Sequence, residues 1–189
     1  THLMVCNGHH WDPRYPEYPG DFSGTWMHSH DFKSVDDSWR NKKVLIIGAG
    51  NSACDVAVEV SRVSKHVTLS TRSPQWFVPK FMFGKPTDQL ATGFQWLPSK
   101  FRQWILETLL LKLQGKNSQY GLPDPDWTPF EAHPTMNQDV LPLIRHGRIQ
   151  TRPAIQSLDG TDVIFVDGQR QAFDIIVAAT GYWISFPFF

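Results

Sequence analysis

The sequence predicts an α/β fold in which a parallel β-sheet is followed by an antiparallel β-meander. An apolar strand at residues 44–47 leads into a glycine-rich turn and a helix, and a second apolar strand follows at residues 66–72. A strand, a helix and a strand within about 30 residues are typical of a β-α-β unit, whose two strands lie parallel. Nearer the carboxyl end, two Asp-Gly pairs separate short apolar segments, which is typical of antiparallel hairpins.

Local patterns predict the elements up to the end of the first helix. Residues 3–6 are apolar and predict a strand that ends at Asn7-Gly8, and we expect a loop rich in Pro, Tyr, His and Gly from there to about Ser38. The helix after the glycine-rich turn carries small and apolar residues at helical spacing, so one of its faces should pack inward. That face consists of Ala53, Val56, Ala57, Val60 and Val63.

Two further helices are expected between the β-α-β unit and the meander. Residues 98–115 are apolar around most of the helix circumference, which favours packing in a core or a domain interface over a membrane anchor. Residues 135–147 predict a short helix that ends near Gly147.

The last third of the chain predicts the meander and one more strand. From Ile149 onward, the turns at Asp159-Gly160 and Asp167-Gly168 separate three short apolar segments. They lead into an apolar strand at residues 175–179. Because natural domains normally end in polar segments, we expect the chain to be a piece of a larger protein, with this strand and the one at residues 3–6 lacking their partners.

Composition narrows the classes of function. The 189 residues are 41% hydrophobic and 19% charged, which suits one compact core. Eighteen basic and eighteen acidic residues balance, and no basic run appears, so we expect no nucleic-acid partner. Glu107 and Lys112 interrupt the longest apolar stretch, so no transmembrane segment is expected. Cys6 and Cys54 form no C-x-x-C pair, which favours reduced thiols in an intracellular, cytoplasmic protein.

The glycine-rich turn carries the strongest chemical signal. Gly48 permits a tight turn out of the strand, Gly50 lets a pyrophosphate approach the backbone, and Ala53 permits close packing of helix on strand. Asn51 and Ser52 complete the motif at the helix N-terminus, where free N–H groups and the helix dipole favour an anion. The motif follows an apolar strand and opens a helix, so it predicts a Rossmann-like domain that binds a dinucleotide.

The end of the second strand indicates which dinucleotide is bound. An NAD site usually places Asp or Glu there to accept from the ribose 2′-hydroxyl, whereas this chain has Ser70, Thr71 and Arg72. Two hydroxyls and a cation suit a 2′-phosphate, so Thr71 and Arg72 favour NADP(H) over NAD(H). The alternative for Arg72 is an ordinary solvated arginine at a strand end.

Three other functions are alternatives to an NADP(H)-dependent enzyme. A metal site could use cysteine and imidazole ligands, but their spacing matches no common pattern and we expect no metal. A disulfide reductase would need a redox dithiol, which the chain lacks. A fragment that binds NADP(H) and catalyses no reaction stays open. The metal candidates were Cys6, His9, His10, His28 and His30.

Several motifs in order resemble the flavin-containing monooxygenase family over essentially the whole chain. Its identifying motif, F-x-G-x-x-x-H-x-x-x-F, is similar to the residues Phe22, Gly24, His28 and Phe32. The turn "GAGNSA" resembles the family's NADP-binding turn, and "ATGY" resembles its late hinge motif. The segments "VCNGHHWDPRYP" and "EAHPTMNQD" also resemble segments of this family, and they stand in the same order relative to the other motifs.

The resemblance implies a division of the chain among two domains. Residues 1–32 would be the end of an FAD-domain segment and a linker, residues 33–173 an NADPH-binding domain, and residues 174–189 a return strand into a truncated FAD domain. Asn7, Thr180 and Gly181 would join the cofactor-binding residues. His28 is a candidate for a catalytic role, although a satisfied structural histidine is the more frequent case for such a residue.

The resemblance also implies an activity for the parent protein. Such enzymes use FAD, NADPH and O₂ for N- or S-oxygenation of soft nucleophiles, as in N,N-dimethylaniline monooxygenase. The expected partners are a small nucleophilic substrate, O₂ and the missing flavin domain, and a homodimer is left open. Related Baeyer-Villiger monooxygenases carry Trp at the position of Phe32, so they are the alternative. The isolated chain would be inactive.

Overall fold

The computed structural model describes residues 2–6, 8–93, 96–129 and 131–187. Asn7, which the sequence places among the cofactor-binding residues, lies outside them. The strands are β1 (Asp12–Pro13), β2 (Thr25–His28), β3 (Lys43–Ile47), β4 (His66–Ser70), β5 (Phe77–Val78), β6 (Phe81–Met82), β7 (Lys85–Pro86), β8 (Thr135–Met136), β9 (Ile149–Arg152), β10 (Ile155–Asp159), β11 (Asp162–Phe165), β12 (Arg170–Ala172), β13 (Ile175–Ala178) and β14 (Tyr182–Trp183). The helices are α1 (Asn51–Ser61), α2 (Thr87–Gly93), α3 (Ser99–Gln114) and α4 (Val140–Arg145), with 3-10 turns at Asp37–Trp39 and Asn117–Tyr120.

A five-stranded parallel sheet in the order β2-β13-β3-β4-β9 forms the centre of the structure. The expected parallel pairing of β3 with β4 is confirmed, with Val44 opposite Val67 and Ile47 opposite Ser70. All four residues of β13 are buried, as are four of the five in β3. Parallel strands that are covered on both faces need apolar side chains on both faces, which explains the continuous apolar sequences of β3 and β13.

Two apolar layers cover the sheet, one on each face. Successive residues of a strand point to opposite faces, so Val44 and Ile46 pack with α1 and α4, while Leu45 and Ile47 pack with the meander. The predicted inward face of α1 is confirmed: Ala53, Val56, Ala57 and Val60 are buried, and Val63 is partly buried against them.

The predicted meander is confirmed, with one change at its start. Strands β10, β11 and β12 pair in antiparallel order, and Gly160 and Gly168 adopt the positive φ angles that their hairpins require. The first of the three segments divides at Pro153. Its first part, β9, leaves the meander and becomes the edge of the parallel sheet beside β4.

The strand predicted near the carboxyl end forms, but the other expectations about the two terminal strands are wrong. Residues 3–6 form no strand and leave Leu3 and Met4 exposed, since no described segment pairs with them. The strand near the carboxyl end, β13, is not partnerless: it lies between β2 and β3 and pairs with both. The loop expected from residue 7 to Ser38 contains β1 and β2, and β2 forms because β13 offers it an edge.

Both later helices form, but α4 is shorter than predicted and α3 is packed differently. The expected helix over residues 135–147 is wrong at its start, because Thr135–Met136 form β8, which pairs with β5, and α4 begins only at Val140.

The predicted helix α3 is confirmed, yet Leu110 is its only fully buried side chain in the described structure, within a small cluster with Trp76 and Val78. Phe101 and Trp104 are about half exposed, at 48% and 58%, so the expectation of core packing is wrong for most of the helix. Packing against another domain stays a prediction.

Candidate dinucleotide site

Gly48 is required by the close approach of two strands at the end of the parallel sheet. Its φ angle is +122°, and a Cβ built at this position would lie 2.5 Å from the carbonyl oxygen of Ala179, which follows β13. Its N–H donates to the carbonyl of Ser70 at 2.8 Å, so the turn is also joined to β4. A side chain at this position would therefore clash with the backbone of the adjacent strand and strain its own.

Gly50 opens the amino end of α1 toward empty space. It is the N-cap of the helix, and no side chain of the described residues accepts from the first N–H groups. A Cβ at Gly50 would meet no atom within 4 Å, while Ser52 beside it is exposed and Ala53 is fully buried. Uncapped N–H groups at a helix amino terminus carry partial positive charge, so this end of α1 can bind an anion.

Three consecutive residues from a distant segment, Thr135, Met136 and Asn137, contact this turn, and we call them the clasp. The Thr135 hydroxyl donates to the Ala49 carbonyl at 2.7 Å, and the Met136 N–H donates to Asn51 Oδ1 at 2.6 Å. Asn137 Nδ2 donates to an Asp55 carboxylate oxygen at 2.9 Å. The sequence predicts a helix over these residues and indicates no contact with the turn, because the contacts join positions more than 80 residues apart.

At the end of β4, Arg72 differs from the other two predicted phosphate-binding residues, whose hydroxyls already donate to backbone carbonyls. The Ser70 hydroxyl donates to the Pro153 carbonyl at 2.7 Å, and the Thr71 hydroxyl donates to the Ser73 carbonyl at 2.9 Å. Arg72 is exposed and forms no salt bridge with any described residue. Strands β3 and β4 are adjacent and parallel, so their carboxyl ends lie at the same edge of the sheet. Arg72, which follows β4, is therefore on the strand next to the one that leads into the glycine-rich turn.

His28 is fully buried at the carboxyl end of β2. Its Nδ1 accepts the His30 N–H at 3.0 Å, so the neutral ring carries its proton on Nε2. The rings of Tyr15 and Tyr182 lie 5.4 Å and 5.2 Å from the imidazole. Burial lowers the pKa of His28, and the Gly181 backbone and the Asp31 charge offset this in part.

The other residues of the F-x-G-x-x-x-H-x-x-x-F motif pack onto opposite faces of one sheet. Phe22 contacts Trp26 on the side of the meander, and Phe32 contacts Trp39 on the side of α1. A Cβ at Gly24 would lie 2.6 Å from the Asp174 carbonyl oxygen and from the Phe22 ring. The motif is therefore built into the parallel sheet through β2, and its role as a linker between domains stays a prediction.

Thr180 and Gly181 follow β13, so they lie at the same edge of the sheet as Gly48 and His28. The Arg14 guanidinium donates to the Thr180 carbonyl at 3.2 Å from Nε and 2.9 Å from Nη2, and the Thr180 hydroxyl donates back to the Arg14 carbonyl. Gly181 has a φ of +82° and accepts the Arg14 N–H at 3.0 Å. These contacts continue into the pairing of β1 with β14.

Comparison with known proteins assigns a family. A family model described as flavin-binding monooxygenase-like matches residues 1–189. The chain belongs to this family. Flavin-containing monooxygenase 5 of Cavia porcellus is 35% identical over 98% of this chain and 37% of its own length. Indole-3-pyruvate monooxygenase YUCCA1 of Oryza sativa subsp. japonica is 31% identical over 98% of this chain and 48% of its own length. The chain thus spans less than half of either relative.

Solved structures in the comparison have the same mixed α/β fold with a parallel sheet. OTEMO in complex with FAD and NADP has a TM-score of 0.70. Its sequence is 15% identical, and the match covers 90% of the chain described here and 45% of the OTEMO chain. A flavin-containing monooxygenase from Stenotrophomonas maltophilia has a TM-score of 0.60, at 22% identity over 94% of this chain and 41% of that one. At these identities the likeness concerns the fold alone.

The described part of this flavin-binding monooxygenase-like chain contains no cluster of three or more His, Cys, Asp and Glu side chains arranged to hold a metal ion. None of its helices, over the residues searched, has the length and apolar character needed to cross a membrane.

Proposed function

We propose that this chain is the NADPH-binding portion of a flavin-dependent monooxygenase and that it forms a Rossmann-like domain. The observation that carries the proposal is the uncapped amino end of α1, which opens at Gly50 onto empty space at the carboxyl edge of the parallel sheet. Dinucleotides bind at this edge in open α/β sheets, with the pyrophosphate on a helix amino terminus.

The residues at this edge divide the recognition of NADP(H) between them. The backbone N–H groups of Asn51 and Ser52 would donate to the pyrophosphate, which Gly50 allows to approach. The Arg72 guanidinium has no competing salt bridge among the described residues and would pair with the 2′-phosphate. The Thr71 hydroxyl already donates to Ser73, so toward a phosphate it would add at most a contact and no free proton.

The activity proposed for the whole protein is oxygenation of a small, soft nucleophile at nitrogen or sulfur. Family membership and a relative named as a putative dimethylaniline monooxygenase [N-oxide-forming] support this proposal, at 34% identity. FAD, when bound by the rest of the protein, would supply the oxygen chemistry, and NADPH would supply the electrons. The proposed contribution of this chain is to hold NADPH. The thiol of Cys54, beside the candidate site, is not a nucleophile for this chemistry, because burial raises its pKa to about 12.

The test uses the full-length protein that contains this chain. Anaerobic stopped-flow measurements should show faster reduction of its flavin by NADPH than by NADH, and aerobic turnover with a simple thioether should give the sulfoxide. A cyclic ketone assayed in parallel tests Baeyer-Villiger oxygenation, which would appear as a lactone. Equal use of the two nicotinamides, or no NADPH-dependent product from either substrate, would refute the proposed function.

A further inference from the structure

The clasp, Thr135 to Asn137, binds the glycine-rich turn and the start of α1, more than 80 residues away, by three hydrogen bonds at 2.6 to 2.9 Å. Thr135 and Asn137 are themselves buried, at 2% and 4% exposure. We propose that Thr135 and its neighbours are positioning residues for NADP(H), because they hold the turn in the form that presents N–H groups to the pyrophosphate. This proposal rests on the proposed function.

Thr135 keeps a carbonyl oxygen out of the anion site. Ala49 lies between Gly48 and Gly50, and its carbonyl accepts the Thr135 hydroxyl at 2.7 Å. The thiol of Cys54, fully buried on α1, lies 3.7 Å from the same oxygen. Since both partners are buried, the oxygen points into the protein and away from the open space at Gly50. A carbonyl turned toward a bound pyrophosphate would repel it, so this orientation favours the anion.

The clasp also holds the first residue of α1 in place. Asn51 Oδ1 accepts the Met136 N–H at 2.6 Å, which ties the start of the helix to the clasp. Among the described residues, no side chain accepts from the first N–H groups of α1. The free N–H groups of the first turn therefore stay available for phosphate oxygens.

Asn137 connects the clasp to a second helix. Its Oδ1 accepts the N–H groups of Asp139 and Val140 at 2.9 and 2.8 Å, at the start of α4, while its Nδ2 donates to Asp55. Lys80 lies 3.9 Å from the same Asp55 oxygen. Because substitution of Asn137 would disturb α4 as well as the turn, Thr135 and Asn51 are the better positions for a test.

The experiment compares Thr135→Val with Thr135→Ser in the full-length protein. Valine keeps the shape and loses the hydroxyl, whereas serine keeps the hydroxyl. Two ligands are titrated by calorimetry: NADP⁺, and adenosine 2′-monophosphate, which has the 2′-phosphate but no pyrophosphate. We expect Thr135→Val to weaken NADP⁺ binding by about tenfold, the effect of one buried hydrogen bond, and to change binding of the monophosphate less than about twofold. Thr135→Ser should bind both ligands as the wild type does.

A second variant covers the case in which Thr135→Val does not fold. Asn51→Ala is an exposed substitution by a strong helix former, so it should fold, and it should weaken NADP⁺ selectively by about fivefold. Equal losses for both ligands, or wild-type NADP⁺ binding in both Thr135→Val and Asn51→Ala, would overturn the positioning role while leaving the proposed function intact. Wild-type protein that fails to bind NADP⁺ would overturn both.

Discussion

Alanine substitution of the two glycines on either side of Ala49 should impair two different properties of the protein, its stability at Gly48 and its binding of NADP⁺ at Gly50. At Gly48 the φ angle is +122° and the new Cβ would lie 2.5 Å from the Ala179 carbonyl oxygen. At Gly50 the backbone has φ −76° and ψ −179°, which alanine adopts without strain, and nothing lies within 4 Å of its Cβ. The first substitution therefore acts on folding and the second on the ligand.

The magnitudes follow from these geometries. Gly48→Ala combines a disfavoured backbone angle with a backbone clash, so it should lower the free energy of unfolding by about 3 kcal/mol. Gly50→Ala should change the free energy of unfolding by less than about 1 kcal/mol, because alanine restricts the unfolded chain but is a poorer N-cap residue than glycine. Its methyl group would occupy the space that the pyrophosphate needs. Loss of one charge-assisted hydrogen bond, at about 2 kcal/mol, would weaken NADP⁺ binding by about 30-fold.

Thermal denaturation and calorimetric titration of the full-length variants measure the two effects. Gly147→Ala is a matched control, because Gly147 has a φ of +71° but no atom within 4 Å of its Cβ and lies after α4. It should lose a little stability to backbone strain and bind NADP⁺ normally. If Gly50→Ala were as unstable as Gly48→Ala, or bound NADP⁺ as tightly as wild type, the assignment of the open space to the pyrophosphate would be wrong.

Three further predictions concern Arg72, His28 and Thr68. Arg72→Asp should reduce the NADPH-to-NADH preference in kcat/KM by about 100-fold, with Arg72→Lys as control, because a carboxylate repels a 2′-phosphate; an unchanged preference contradicts the assignment. The pKa of His28 is lowered by burial, so the unfolded state binds more protons and stability should fall as pH drops below about 6.5. Urea titrations should show a smaller fall in His28→Gln, and identical pH slopes would count against this. Thr68 is fully buried, and its hydroxyl has no hydrogen-bond partner among the described residues, so Thr68→Val should be neutral or stabilising by about 1 kcal/mol; a clear loss of stability by chemical denaturation would contradict this.

Local sequence signals determined the elements whose contacts are close along the chain. The β-α-β unit of β3, α1 and β4 was predictable because an apolar strand, a glycine-rich turn and a periodic helix occupy one short stretch. Likewise, the glycines at 160 and 168 specify hairpins locally, since their positive φ angles depend on the residue type. The position of Gly50 at the start of α1, and hence the candidate anion site, follows from the same local signals.

Tertiary structure alone decided which strands meet and which side chains are covered. β13 inserts between β2 and β3 although it follows β3 by more than 120 residues, and no local pattern encodes a pairing at that distance. Exposure of Trp104 on α3 depends equally on what packs nearby. Within the site, the sequence identified the glycines and Arg72, whereas the engagement of Thr71 and the contact of Thr135 with Ala49 became visible only in three dimensions. The physical reason is that a hydrogen bond between distant residues depends on how the whole chain packs, while a backbone angle depends mainly on the residue that adopts it.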